Sequence, residues 1–240
     1  MDKIALVVPV KGSNPKARLS ALFNPRERKQ LQVAMLEDTL YAIARAKRSA
    51  STYVVSSDPE ILKFAGRYGV GSIEEVHDGG VNEAVEAAIA RVPDQYDGWL
   101  VMPADLPLLS PNDIKTVFTL HRMGSPIVIS PSEDYSGTNL LLMTRRRRIP
   151  LHYDDDSFNK HVRDATALEA RTAIYYSENV AFDIDHAGDV HRYFKFGRRN
   201  STMNFLERTL KQHARRLEGR TTEPSQRRDQ ERDPDPARGS

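Results

Sequence analysis

The strongest constraint on this chain is an alternation of periods. "IALVVPV" (4–10) is apolar almost throughout, as a strand is when both faces of its sheet are covered. The next segment changes to helical spacing, with Val33, Leu36, Leu40 and Ile43 on one stripe after an Asn24-Pro25 start. "TYVVSS" (52–57) is again strand-like, and Asp58-Pro59 opens another helix to about Tyr68. "GSIEEV" (71–76), the Ala-rich helix 82–91, "GWLVMPAD" (98–105) and a helix over 110–123 repeat the cycle. Ser110 with Asp113 three residues later predicts a capping box for that last helix. This alternation predicts an α/β domain with a mostly parallel sheet and helices on both sides. Further strands are expected at 126–132, 139–144, 172–177 and 180–185, and helices at about 157–168, 186–196 and 201–217. One domain is expected over 1–217. A disordered polar tail is expected over 218–240, where no apolar residue could anchor the chain.

Composition removes several classes of function. No cysteine is present, which excludes disulfides, thiolate metal sites and cysteine nucleophiles. No apolar run approaches the roughly 18 residues of a membrane span, and the N-terminus lacks the pattern of a signal peptide. A soluble cytoplasmic protein is expected. The net charge of +2 gives no general field for nucleic acid, and "RRRR" (145–148) lacks the interleaved aromatics of a nucleic-acid site, so it is expected to be a solvated turn.

In doubly wound sheets ligands bind beyond the carboxyl ends of the strands, so the segments after each strand carry the chemistry. After the first strand come Lys11, Lys16 and Arg18 within eight residues, around Gly12. Clustered cations suit a polyphosphate, and a glycine lets the backbone come close to it. The loop has neither the P-loop nor the G-x-G-x-x-G pattern, and it could also be a solvated basic loop. Asp105 ends an apolar strand, where a carboxylate can hold Mg²⁺ against a phosphate or cap a turn. Asp183 and Asp185 alternate in "FDID", so both face one side. They could ligate a metal, or Asp185 could cap the next helix. Gly137, Thr138 and Asn139 form either an anion-holding loop or a tight hairpin. Asn82, after two glycines, is a nucleotide contact or an N-cap. Asp154, Asp155 and Asp156 precede Ser157 at a helix start, which the helix dipole favours whatever the function.

Taken together, these stretches resemble one family. "PVKGSNPKARL" is similar to the P-x-K…A-K-S-R-L opening of the archaeal 2-phospho-L-lactate guanylyltransferases. "PADLPLLSPNDI", "SGTNLLL", "DDDSFNKHV" and "AFDID" follow in the family's order, and the resemblance spans about residues 3–195. The departures are Pro15 for Ala, Ala17 for Ser, Ser136 for the first Gly of G-G-T-N, and Asp154 for a Gly before the Ser. The resemblance implies a nucleotide-diphospho-sugar transferase (GT-A-like) fold. It implies transfer of GMP from GTP to 2-phospho-L-lactate with release of pyrophosphate, in coenzyme F420 synthesis. Bacterial relatives use phosphoenolpyruvate instead. The implied roles are Lys11, Gly12, Lys16, Arg18 and Asn82 for GTP, with Lys16, Arg18 and Asp105 catalytic. Asp105, with Asp183 or Asp185, would hold Mg²⁺, and Thr138, Asn139, Asp154 and Ser157 would hold the phosphorylated three-carbon acid. A homodimer is also implied. Other nucleotidyltransferases of this fold, or a non-catalytic nucleotide-binding protein, are the alternative expectations.

Overall fold

The computed structural model describes residues 3–76 and 79–221. His77 and Asp78 lie outside the described residues, as does the expected tail from residue 222 onward, but residues 218–221, expected as the start of that tail, continue the last helix (Ser201–Thr221). Seven strands form one sheet in the order β3-β2-β1-β4-β6-β5-β7. They are β1 (Ile4–Pro9), β2 (Thr52–Ser56), β3 (Gly71–Glu74), β4 (Gly98–Val101), β5 (Ile127–Pro131), β6 (Thr138–Thr144) and β7 (Thr172–Ile174). Only β6 runs against its neighbours, so the sheet is mixed but mostly parallel.

Every residue of β1 is buried. Ile4, Leu6 and Val8 face α1 (Pro25–Arg45), α2 (Pro59–Gly66) and α4 (Pro111–Arg122), through Leu36, Leu40, Ile61 and Ile114. Ala5 and Val7 face α3 (Val81–Arg91) and α5 (Ser157–Ala167), through Val85, Ala88 and Phe158. This two-sided cover is why the strand reads as a continuous apolar run. A third cluster joins Leu19, Phe23, Leu31 and Met35 to α7 (Ala187–Phe196) and α8 (Ser201–Thr221). Asp38 of α1 fixes the start of α8 by accepting from the Ser201 and Thr202 amides at 2.9 and 3.0 Å. Both expected helix starts are present: Asn24 accepts from the Glu27 amide at 3.0 Å, and Ser110 and Asp113 form a capping box.

Three elements differ from expectation. The stretch 180–185 is not a strand. Its first residues belong to α6 (Glu178–Ala181), and the rest is extended without a sheet partner. The alternation survives because Phe182 and Ile184 bury into the third cluster instead of the sheet. β4 stops at Val101: the Met102 amide still donates to Val7 O, and Pro103 has no N–H to continue the ladder. The arginine run is not simply solvated. Arg145 and Arg148 lie over the Trp99 ring, with guanidinium carbons 4.9 and 5.9 Å from its centroid. Among the described residues no helix is long and apolar enough to cross a membrane.

Candidate active site

The site forms where β1 and β4 end. Gly12 passes so close to the turn after β2 that a Cβ there would lie 1.9 Å from Ser57 Oγ. Any other residue type would require the Ser57 side chain to move and would press on the Asp58 backbone at 3.1 Å. The chain then enters the left-handed region at Asn14 (φ 38°) and Lys16 (φ 49°), a conformation that costs energy in residues bearing a Cβ. Helix α1 supplies the support. Buried Arg28 donates to Pro15 O at 3.1 Å, Phe23 O at 3.2 Å and Asn14 Oδ1 at 2.7 Å. Gln32 donates to Lys11 O at 3.0 Å. The loop's shape is therefore set from behind, while Lys11 and Arg18 remain exposed.

Lys16 turns inward. Its ammonium donates to Asp105 Oδ2 at 2.8 Å and Asp185 Oδ1 at 2.6 Å, and its side chain is only 9% exposed. Arg18 reaches Asp185 at 3.6 Å. Burial opposes charge on Lys16, but the Asp105 and Asp185 carboxylates outweigh it and raise its pKa. Burial also works against the Asp185 carboxylate, and the Lys16 ammonium overcomes it, so that pKa is lowered. Asp183 feels the Lys16 charge too, but more weakly than the opposing effects. Burial and the neighbouring Asp105 and Asp185 carboxylates push it up to about 7.

Oxygen atoms of Asp105, Asp183 and Asp185 lie within 4.8 Å of one another. Three carboxylates at this spacing offer the hard oxygen donors that a divalent cation prefers, and the upward push on Asp183 comes from crowded negative charge that such a cation would offset. The donor set fits a divalent metal. The capping alternatives for these acids fall away. Asp189, not Asp185, accepts from the Asp185 and His186 amides at the start of α7, at 3.1 and 2.7 Å. Ser110 caps α4. A cleft of about 410 Å³ opens over the cluster, lined by Lys11, Lys16, Arg18, Val81, Asp105 and Asp185 among others. A larger groove of about 600 Å³ between α1, α2 and α8 is bounded by helices and carries no strand end.

The second group of expected residues lies at the start of β6, at the same edge of the sheet. A bulge opposite Ser130 and Pro131 leaves Asn139 as the extra residue of β6, and Thr138 and Asn139 bond to different layers. Thr138 Oγ1 meets His161 Nδ1 at 2.9 Å. Asn139 donates to Val180 O at 2.7 Å and Ala181 O at 3.2 Å, which ties β6 to the segment carrying Asp183 and Asp185. Ser157 is buried as the first residue of α5. Asp154 is exposed and ion-paired with Lys160 at 2.9 Å. Asn82 is not an N-cap, since Gly80 (φ 97°) precedes α3. Its Oδ1 accepts from the Tyr153 amide at 2.8 Å, joining α3 to the loop before α5.

Sequence reasoning missed Arg28, Gln32, Asp189 and His161. Arg28 left no local signal, since it precedes Leu31, the first apolar residue after Pro25 in α1, among other polar residues, and only the structure shows it as the first buried residue of the helix.

A parallel sheet with a reversed β6, a cationic loop after β1 and an acid cluster beyond β4 together define a nucleotidyltransferase-like domain. A protein of nucleotide-diphospho-sugar transferase type from Desulfovibrio desulfuricans G20 superposes with a TM-score of 0.69 at 18% identity, over 89% of this chain and 99% of that one. The 4-diphosphocytidyl-2C-methyl-D-erythritol synthase of Anaerococcus prevotii gives 0.55 at 13% identity, over 81% and 99%.

Residues 4–223 match the family described as guanylyl transferase CofC like, and the chain belongs to that family. The 2-phospho-L-lactate guanylyltransferase of Methanocaldococcus infernus is 34% identical over 207 residues, 86% of this chain and 90% of that protein. The phosphoenolpyruvate guanylyltransferase of Rubrobacter xylanophilus is 34% identical over 188 residues, 78% and 91%.

Proposed function

We propose that this guanylyltransferase moves GMP from GTP to 2-phospho-L-lactate and releases pyrophosphate, the step expected in coenzyme F420 synthesis. The observation that carries the reading is the Lys16 ammonium set between Asp105 and Asp185 at the sheet's carboxyl edge. A site built this way brings cations and a metal-binding carboxylate set to one point, as two meeting polyanions require.

Lys11 and Arg18, exposed at the mouth, take the charge of the triphosphate, and Gly12 lets the backbone approach it. Lys16 spans the phosphates and the acids. Asp105, Asp183 and Asp185 would hold Mg²⁺, which would supply positive charge to offset that of the phosphates and the leaving pyrophosphate. The acceptor's phosphate oxygen attacks the α-phosphorus of GTP, and the bond to the β-phosphate oxygen breaks in line. A phosphate monoester is anionic at neutral pH, so the protein needs no strong general base. Its work is positioning and charge stabilisation. Thr138 and Ser157 contact the acceptor. Asn139 and Asp154 shape that side through the bonds described above. Asn82 serves the nucleotide side through its amide nitrogen, because its oxygen is committed to Tyr153. A homodimer in the cytoplasm completes the reading, with exposed Tyr135, Ile174 and Tyr176 near the β7 edge as its contact surface.

Phosphoenolpyruvate is the second reading, because the Rubrobacter relative is as similar in sequence as the Methanocaldococcus one. The test is pyrophosphate release with Mg²⁺, crossing GTP, ATP, CTP and UTP with 2-phospho-L-lactate, phosphoenolpyruvate and 3-phosphoglycerate. Release with GTP and 2-phospho-L-lactate is expected. Release with another nucleotide, or with none of the acids, would overturn the reading.

A further inference from the structure

His161 is fully buried, and the reaction described above does not use it. It lies one turn into α5, whose start is docked by the Phe158 amide donating to Ser136 O at 3.2 Å. Its two ring nitrogens have different partners. The His152 backbone N–H reaches Nε2 at 3.0 Å, and Nδ1 lies 2.9 Å from Thr138 Oγ1. A backbone amide can only donate, so Nε2 must carry the lone pair. A neutral imidazole then has its one N–H on Nδ1, and that hydrogen goes to Thr138. The Thr138 oxygen becomes an acceptor in this bond, and its own hydrogen is left over. Among the described residues no other partner of this hydroxyl is found, although Thr138 is only 4% exposed. A buried hydroxyl with an uncommitted hydrogen is suited to an anionic oxygen.

We propose that His161 is a positioning residue for the acceptor: by donating from Nδ1 it leaves the Thr138 hydroxyl as a donor to an anionic oxygen of the phosphorylated acid. This rests on the guanylyl-transfer reading. The device also gives a preference in charge. A hydroxyl already accepting from His161 has its hydrogen free, so it serves a phosphate or carboxylate oxygen better than a group that must donate.

Two measurements test it, and the first does not depend on turnover. The ¹⁵N shifts of His161 in the whole protein should show a protonated Nδ1 and an unprotonated Nε2 at neutral pH. The opposite tautomer, or a doubly protonated ring, would overturn the proposal. The second is a kinetic cycle of His161→Gln, Thr138→Val and the double variant, with the acid the wild type consumes. His161→Gln can keep an acceptor for the His152 amide but loses the donor at the Nδ1 position. His161→Asn can keep that donor. The expected result is an acceptor KM raised about tenfold by His161→Gln and by Thr138→Val, with KM for GTP unchanged. His161→Gln should add little in the Thr138→Val background, and His161→Asn should restore most of the loss. Equal effects of His161→Gln in both backgrounds, or parallel changes in both KM values, would make the histidine merely structural and overturn the proposal. Absence of turnover by the wild type with every acid would instead refute the guanylyl-transfer reading, while the ring shifts would still report on the hydrogen bond.

Discussion

The two sides of the cleft that we propose hold the nucleotide and the acceptor are built by opposite means. The nucleotide side is one contiguous loop, Lys11 to Arg18, held from behind by Arg28 and Gln32, with Lys11 and Arg18 exposed. The acceptor side is assembled from β6, α5 and the segment after α6. Its polar groups are mostly buried and bonded to protein: Thr138 to His161, and Asn139 to Val180 and Ala181. A triphosphate carries high charge and can be gripped by flexible cations at a surface. A small acid offers few atoms, so its recognition depends on donors whose directions are already set. Changes on the first side should therefore alter charge stabilisation and nucleotide affinity. Changes on the second should alter acceptor affinity or the fold.

Asp105→Asn is expected to have the largest effect, a loss of turnover of about a thousandfold or more with the melting temperature little changed. Steady-state rates over a range of Mg²⁺ concentrations, alongside a thermal melt, check this. Near-normal rates at low Mg²⁺ would remove Asp105 from the metal site. Arg28→Met comes next. It leaves the Pro15 and Phe23 carbonyls without their donor and should cost about 2–4 kcal/mol of stability. It should also raise KM for GTP about tenfold while moving the acceptor KM little. Equal effects on both KM values would erase the division between the sides.

Asn139→Ala should cost about 1–3 kcal/mol by unpairing the Val180 and Ala181 carbonyls. Because those carbonyls precede Asp183 and Asp185, it should also weaken Mn²⁺ binding measured by calorimetry. Unchanged metal affinity would confine Asn139 to β6. The smallest effect is expected from Asp154→Asn, less than twofold in acceptor KM, since its side chain is exposed and paired with Lys160. A larger rise would place Asp154 at the acceptor.

Acid should separate the two sides as well. Burial, with the charge of His152, lowers the His161 pKa to about 4, against the partial opposition of Asp164 and Asp154. The unfolded chain takes up this proton near pH 6.5, before the folded protein does. Stability is therefore full above pH 6.5 and falls as the pH drops toward 4, by about 3 kcal/mol in total. Denaturant titrations of the wild type and His161→Asn over that range should show a shallower decline in the variant. Parallel curves would assign the acid sensitivity elsewhere.

Much of this was legible in the chain. The period changes gave the α/β layers, and Asn24-Pro25 and Ser110…Asp113 gave two helix starts, because caps are local chemistry. The loop cations and Asp105 were legible because they follow or end strand-like runs, and Asp183 and Asp185 because they alternate within one. The strand expected at 180–185 failed for a physical reason. Alternation reports which side chains are buried, not whether the backbone has a sheet partner, and Phe182 and Ile184 bury against helices. Asn82 was ambiguous because its partner, the Tyr153 amide, is 71 residues away. The inward turn of Lys16 depends on a left-handed backbone and on contacts 89 and 169 residues distant, which no local pattern encodes. His161 could not be assigned without knowing which atoms face its two nitrogens.

The most direct test of guanylyl transfer is ³¹P NMR of a reaction containing the whole protein, GTP, Mg²⁺ and 2-phospho-L-lactate. The account predicts a pair of coupled resonances from a new unsymmetrical P–O–P linkage, appearing together with an equal amount of free pyrophosphate. Orthophosphate from simple GTP hydrolysis, or a GTP spectrum that does not change, would contradict it.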